Sequence, residues 1–173
     1  MKTKLALLST ALILGATGCS ATTEEPTVES ATGGAAVKGK SKVARVGDKV
    51  TLKGTTYRVT KVRTSQSIGK DFMKEQANGR FVVIKLQLTN RKDEPAMIIS
   101  ENLRLIGGNG KNYSTSDDAL FAVDKPLLLE EIQPDNTEKG TLVYDVPKGA
   151  VKGAALRVED LFSDSKASID LGL

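Results

Sequence analysis

The chain has 173 residues, no histidine, no tryptophan and one cysteine, with 25 basic against 21 acidic side chains for a formal net charge of +4. Without histidine there is no imidazole base, no serine–histidine triad and none of the common zinc ligand sets. A single thiol cannot form an internal disulfide, and modest charge without aromatics interleaved among basic residues disfavours nucleic acid as a partner.

Lys2 and Lys4 precede an apolar run from Leu5 to Leu14, followed by the small residues Gly15, Ala16, Thr17 and Gly18 and then Cys19. This is the pattern of a secretory signal peptide over residues 1–18. The run is too short for a membrane-spanning helix, which needs roughly 20 residues. Ala16-Thr17-Gly18-Cys19 resembles the bacterial lipobox, in which the cysteine sulfur receives diacylglycerol and cleavage falls just before it. Cys19 is therefore the expected lipid attachment site, and two acyl chains suffice for stable anchoring. Removing residues 1–18 lowers the formal charge to +2.

Residues 19–42 are rich in Thr, Ser, Ala, Gly and charge, with two isolated valines and no aromatic residue. Such a segment buries too little apolar surface to offset the entropy of ordering, so it reads as a lipidated flexible tether with a reach of roughly 25–30 Å.

From residue 43 to 173 the pattern has period two. In RFVVIKLQLTNR, Val82, Ile84, Leu86 and Leu88 share one face while Lys85, Gln87 and Thr89 take the other. Leu142, Tyr144 and Val146 repeat this, as do Ala154, Leu156 and Val158, and then Ile169, Leu171 and Leu173. Shorter strands are predicted at Lys49–Leu52, Thr56–Thr64, Ala96–Ser100 and Leu103–Ile106, with a bulge where the phase slips between Val59 and Val62. Asn109-Gly110 suits a type I′ hairpin turn, and Lys70–Ala77 is the one stretch expected to form a short helix. The spacing predicts an all-β fold, an immunoglobulin-like antiparallel β-sandwich.

Four segments carry a resemblance: VGDKVTLKGTTYRVTKVRTSQSIG, NGRFVVIKLQLTNRKDEPAMI, LRLIGGNGKNYS and EIQPDNTEKGTLVYDVPKG. In this order they resemble the telokin-like, immunoglobulin-like domain of unknown function found in many bacterial lipoproteins, often Gram-positive. Asp135 departs from the family pattern, in which a glycine usually follows the proline. The resemblance implies a sandwich on the outer face of a membrane and implies no reaction.

The remaining chemistry rests on carboxylates. Asp117-Asp118, Glu130-Glu131, Asp135, Asp145, Glu159-Asp160 and Asp164 would serve hydrolysis only if two shared a cleft with separated pKa values. Asn109, Asn112, Ser114, Ser116, Asp117 and Asp118 supply oxygen atoms for calcium, but their spacing matches no calcium loop. No catalytic residue, metal site or cofactor is expected. Phe81, Tyr57 and Tyr144 fall in strands and are assigned to the core, whereas Phe72 and Phe121 fall in long connections.

The sequence thus points to a lipid-anchored extracytoplasmic protein carrying a non-catalytic binding or accessory module. Its expected partners are the membrane, through the anchor, and an envelope or cell-surface protein. A structural or envelope-stress lipoprotein without a ligand and a carboxylate hydrolase stay open as alternatives. Candidate contact residues are Phe72, Phe121, Leu127, Leu128 and Leu129. If every strand reverses direction, the connections 65–79 and 114–139 lie at opposite ends of the sandwich and cannot build one site.

Overall fold

Apolar alternation places a continuous set of side chains between two sheets. The computed structural model describes residues 26–29 and 43–173; the expected signal peptide, Cys19 and most of the expected tether lie outside the described residues. In chain order the strands are β1 (Thr27–Glu29), β2 (Ala44–Arg45), β3 (Lys49–Leu52), β4 (Thr55–Ile68), β5 (Glu75–Asn90), β6 (Ala96–Ile99), β7 (Leu103–Ile106), β8 (Asn112–Tyr113), β9 (Leu129–Ile132), β10 (Thr137–Val146), β11 (Ala155–Glu159) and β12 (Lys166–Asp170). Two short helices, α1 (Asp117–Phe121) and α2 (Lys148–Val151), interrupt them.

The first sheet has the order β1-β3-β4-β5-β10 and the second β2-β12-β11-β7-β8, with β6 and β9 forming a separate pair. All strand pairings are antiparallel except β2 with β12. The chain is an antiparallel β-sandwich, as the spacing predicted. Val82, Ile84, Leu86 and Leu88 of β5 are all buried, and they meet Leu103, Leu105, Leu156 and Val158 of the second sheet in one core. The bulge predicted in β4 appears as a register shift between Val59 and Lys61. It turns Lys61 and Arg63 outward while Val62 stays on the core side, partly buried against it.

Several expectations are corrected. Lys70–Ala77 is not a helix: a single 3-10 turn at Asp71–Met73 closes the β4–β5 hairpin, and Glu75 already belongs to β5. Pairing of Ser67 with Gln76 and Ile68 with Glu75 overrides the local helix propensity. The Asn109-Gly110 turn is not type I′, because only Gly110 has positive φ, at 75°. Gly110 donates to Gly107 and Gly107 to Lys111, which is a three-residue loop ending in a left-handed glycine. Thr27–Glu29, inside the segment read as a tether, pairs with Thr51–Lys49 as an edge strand of the first sheet.

The connection after β8 departs furthest from expectation. Ser116 donates its amide to Val143 on the open edge of β10, and the chain passes round that edge onto the outer face of the first sheet. There α1 buries Ala119 and Leu120 against Ile68, Phe81, Val83 and Val143, a second cluster outside the main core. The chain then returns to the same edge, where Lys125 and Leu127 bond to Thr141, and continues into β9. Connections 65–79 and 114–139 therefore do not lie at opposite ends.

Candidate functional site

The site is built where the tip of the β4–β5 hairpin meets α1. Gly69 has a φ of 78°, and a Cβ there would stand 2.1 Å from the Met73 carbonyl oxygen and 3.0 Å from the Ala122 Cβ. Glycine is thus required at the point of closest approach. Asp71 takes a left-handed φ of 50° to start the 3-10 turn, which throws Phe72 outward, 96% exposed. On α1 the inward positions Ala119 and Leu120 fix the helix, so Phe121 points away at 60% exposure.

These two phenylalanines line one groove of about 640 Å³ whose floor is the outer face of β4, β5 and β10. Lys61 and Lys85 are direct cross-strand partners on that floor, with Thr141 beyond Lys85 and Arg63 one step along β4. Like charges placed opposite each other on a sheet destabilise it, so this pair has no packing rationale. Lys70 adds a fourth cation, and Asp71 and Asp124 face the same groove. Among the described residues none of Lys61, Arg63, Lys70 and Lys85 makes a side-chain ion pair.

The charge pattern continues down the sheet. Register aligns Glu29, Lys49, Arg58, Gln87 and Lys139 in one row and Thr27, Thr51, Thr56, Thr89 and Thr137 in the next. Thr51 and Thr56 share a hydrogen bond of 2.9 Å, Thr89 and Thr137 one of 2.8 Å, and Lys49 meets Glu29 at 3.5 Å. The outer face of the second sheet also mixes signs: Arg104 lies opposite Arg157 in register, Arg157 stands beside Glu159 at 3.8 Å, and Asp170 is paired in register with Arg45.

The five candidate contact residues separate. Phe72 and Phe121 come together. Leu127 is corrected to the core: it is fully buried, and Gly140 makes room for it, since a Cβ on Gly140 would lie 2.8 Å from the Leu127 Cβ. Leu128 and Leu129 are exposed but belong to the β6–β9 pair, where Leu129 faces Ile99 and Leu128 accepts from the Ser100 amide. Cys19 lies outside the described residues. Sequence reasoning missed the groove cations, although Lys61, Arg63 and Lys85 all occupy the outward phase of their strands. It also missed Phe162, which is 84% exposed on the β11–β12 hairpin.

The carboxylates hold local structure. Asp145 accepts from the amides of Asn78 (2.7 Å) and Gly79 (3.0 Å), Asp160 accepts from the amide of Phe162, and Glu131 accepts from Gln133. Of the calcium candidates, Asn109 donates to Tyr113, Asn112 accepts from Arg157, and Ser114 accepts from Arg104. Among the described residues no three acidic or cysteine side chains form a metal-binding group. Nor is any helix among them long and apolar enough to cross a membrane.

Fold and groove together define an antiparallel β-sandwich whose first sheet carries a cationic outer face partly roofed by a short helix. Residues 44–167 match the family described as Domain of unknown function (DUF4352), and the chain belongs to that family. It is 25% identical over 118 residues to the uncharacterized protein YxkC of Bacillus subtilis, a match covering 63% of this chain and 66% of that protein, just under two-thirds of its length. Three crystal structures share the fold. The yjhA protein of B. subtilis is 17% identical with a TM-score of 0.61, over 75% of this chain and 99% of that one. The secreted protein MPT63 of Mycobacterium tuberculosis is 11% identical with a TM-score of 0.57, over 77% and 99%. The ycdA protein of B. subtilis, provisionally named a lipoprotein, is 15% identical with a TM-score of 0.50, over 75% of this chain and 38% of that one.

Proposed function

We propose that the chain is an exported, lipid-anchored binding module without catalytic activity, and that the groove between Phe72 and Phe121 is its contact site. Cys19 carries the diacylglycerol, and the sandwich is held at the outer face of the membrane. One observation carries this reading: two connections distant in sequence converge to place two exposed aromatic rings in one groove with cations that make no ion pair among the described residues. Exposed aromatics and arginine are what contact surfaces concentrate. The sequence of residues 1–19, the secreted status of MPT63 and the provisional lipoprotein name of ycdA support the anchored, extracytoplasmic part.

Because Cys19 is the sole cysteine, single thiols can be introduced as reporters. On intact cells, Phe72→Cys and Phe121→Cys are expected to react with a membrane-impermeant maleimide at least about fivefold more slowly than Ser168→Cys. Ser168 is exposed on the outer face of the second sheet. Equal labelling of all three would remove the groove as a contact site and favour a lipoprotein with no dedicated ligand.

A further inference from the structure

We infer that the partner of this groove is the anionic phospholipid surface to which the chain is tethered, met face-on by the outer side of the first sheet. The inference rests on the contact-site reading above and names its occupant. Three independent features support it.

The first is charge. The strands of the first sheet present Lys49, Arg58, Lys61, Arg63, Lys85 and Lys139 outward against Glu29 and Asp145, and the groove itself holds Lys61, Arg63, Lys70 and Lys85 against Asp71 and Asp124. Phosphate head groups complement such a face, and each cation close to an anionic bilayer strengthens attachment. The outer face of the second sheet carries fewer cations, Arg45, Arg104, Arg157 and Lys166, of which Arg157 stands beside Glu159 and Arg45 is paired in register with Asp170.

The second is the arrangement of apolar groups. The hairpin tip reads Lys70-Asp71-Phe72-Met73-Lys74, with Phe72 at 96% and Met73 at 44% exposure between two lysines. Phe121 projects from α1 into the same groove. Rings held over lysines suit the interfacial zone of a bilayer, where an apolar tip enters the acyl boundary and cations stay with the phosphates.

The third is the leash. With β1 paired to β3, only residues 20–26 separate Cys19 from the folded sheet. Eight peptide steps span at most roughly 28 Å in any arrangement. The leash leaves from β1, an edge of the first sheet itself, so a face-on approach of that sheet to the bilayer lies within its reach.

The test uses the chain from residue 19 onward, which contains every described residue, with Cys19→Ser to remove the anchor. Co-sedimentation with vesicles of mixed phosphatidylglycerol and phosphatidylcholine should exceed that with phosphatidylcholine alone by more than about tenfold, and fall as salt is raised. Lys61→Glu/Lys85→Glu and, separately, Phe72→Ser/Phe121→Ser should each reduce it about tenfold or more. The charge-matched control Lys111→Glu/Lys166→Glu should change it little, and unchanged thermal unfolding midpoints would show that the variants fold. Equal partitioning to both vesicle types, or an equal loss in the control, overturns the inference. Groove-dependent binding to soluble poly(glycerol phosphate) without vesicle binding also overturns it, while leaving the groove as a contact site. Thiol protection on cells without vesicle binding has the same meaning.

Discussion

Tyr144 stands in β10 with its ring fully buried, and its hydroxyl donates to the Leu103 carbonyl of the opposite sheet at 2.5 Å. Tyr144→Phe removes that buried bond between the sheets and should cost about 0.5–1.5 kcal/mol in chemical denaturation. Burial pushes the Tyr144 phenol above the ordinary tyrosine value against an opposing effect of Arg104, and burial followed by Asp160 does the same to Tyr57. In both, the native state keeps a proton that the unfolded chain releases. Stability from these groups is therefore complete below about pH 10 and falls as pH rises beyond it, by up to about 1.4 kcal/mol per pH unit for each tyrosine. Asp135 supplies another residue-scale test. It holds a left-handed φ of 58°, a conformation that glycine adopts without strain, and its contact with Arg91 is a long, exposed 3.9 Å. Asp135→Gly should raise stability by up to about 1 kcal/mol, measured by the unfolding midpoint, because backbone strain outweighs a surface ion pair.

Among the elements, α1 has the greatest consequence for function. Leu120 is its one large buried side chain and seals the outer cluster over Phe81, Val83 and Val143. Leu120→Ala should cost about 2 kcal/mol, the lower end of the core range, since a cluster at the surface can relax. Ile84→Ala, in the closed core, should cost more, up to about 5 kcal/mol. The strands were legible in the sequence because period-two alternation is written directly into β5, β10 and β11, and even the β4 bulge left its mark as a phase slip between Val59 and Val62. α1 was not, because Asp117-Asp118 followed by Ala-Leu-Phe is too short to show a helical period. The groove was illegible for the same reason. Its two rings were visible as loop phenylalanines, but their meeting depends on the chain rounding the edge of β10 through Ser116 and Val143, a long-range contact with no local signature. Leu127 was misread because its burial depends on Gly140, thirteen positions away and unremarkable until the two are seen together.

For the whole molecule, the sandwich takes an edge strand from the segment read as its tether. β1 makes three residue pairs with β3 and one exposed ion pair, so it positions the leash while adding little stability. Cys19→Ala should release the protein to the medium or leave its leader uncleaved, checked by fractionation, because surface contacts alone hold a bilayer far less firmly than two acyl chains. Wild-type fractionation of a correctly cleaved Cys19→Ala chain would remove the anchor from the account.

The groove as the place where the anchored domain meets its surroundings is tested most directly by hydrogen exchange. The lipidated protein in native membrane vesicles would be compared with the unlipidated chain from residue 19 in solution. Slower exchange in the membrane-held protein is expected at residues 69–74 and 117–124, with the β11–β12 hairpin around Phe162 unchanged. Identical exchange in both forms, or protection confined to residues 160–166, would contradict it.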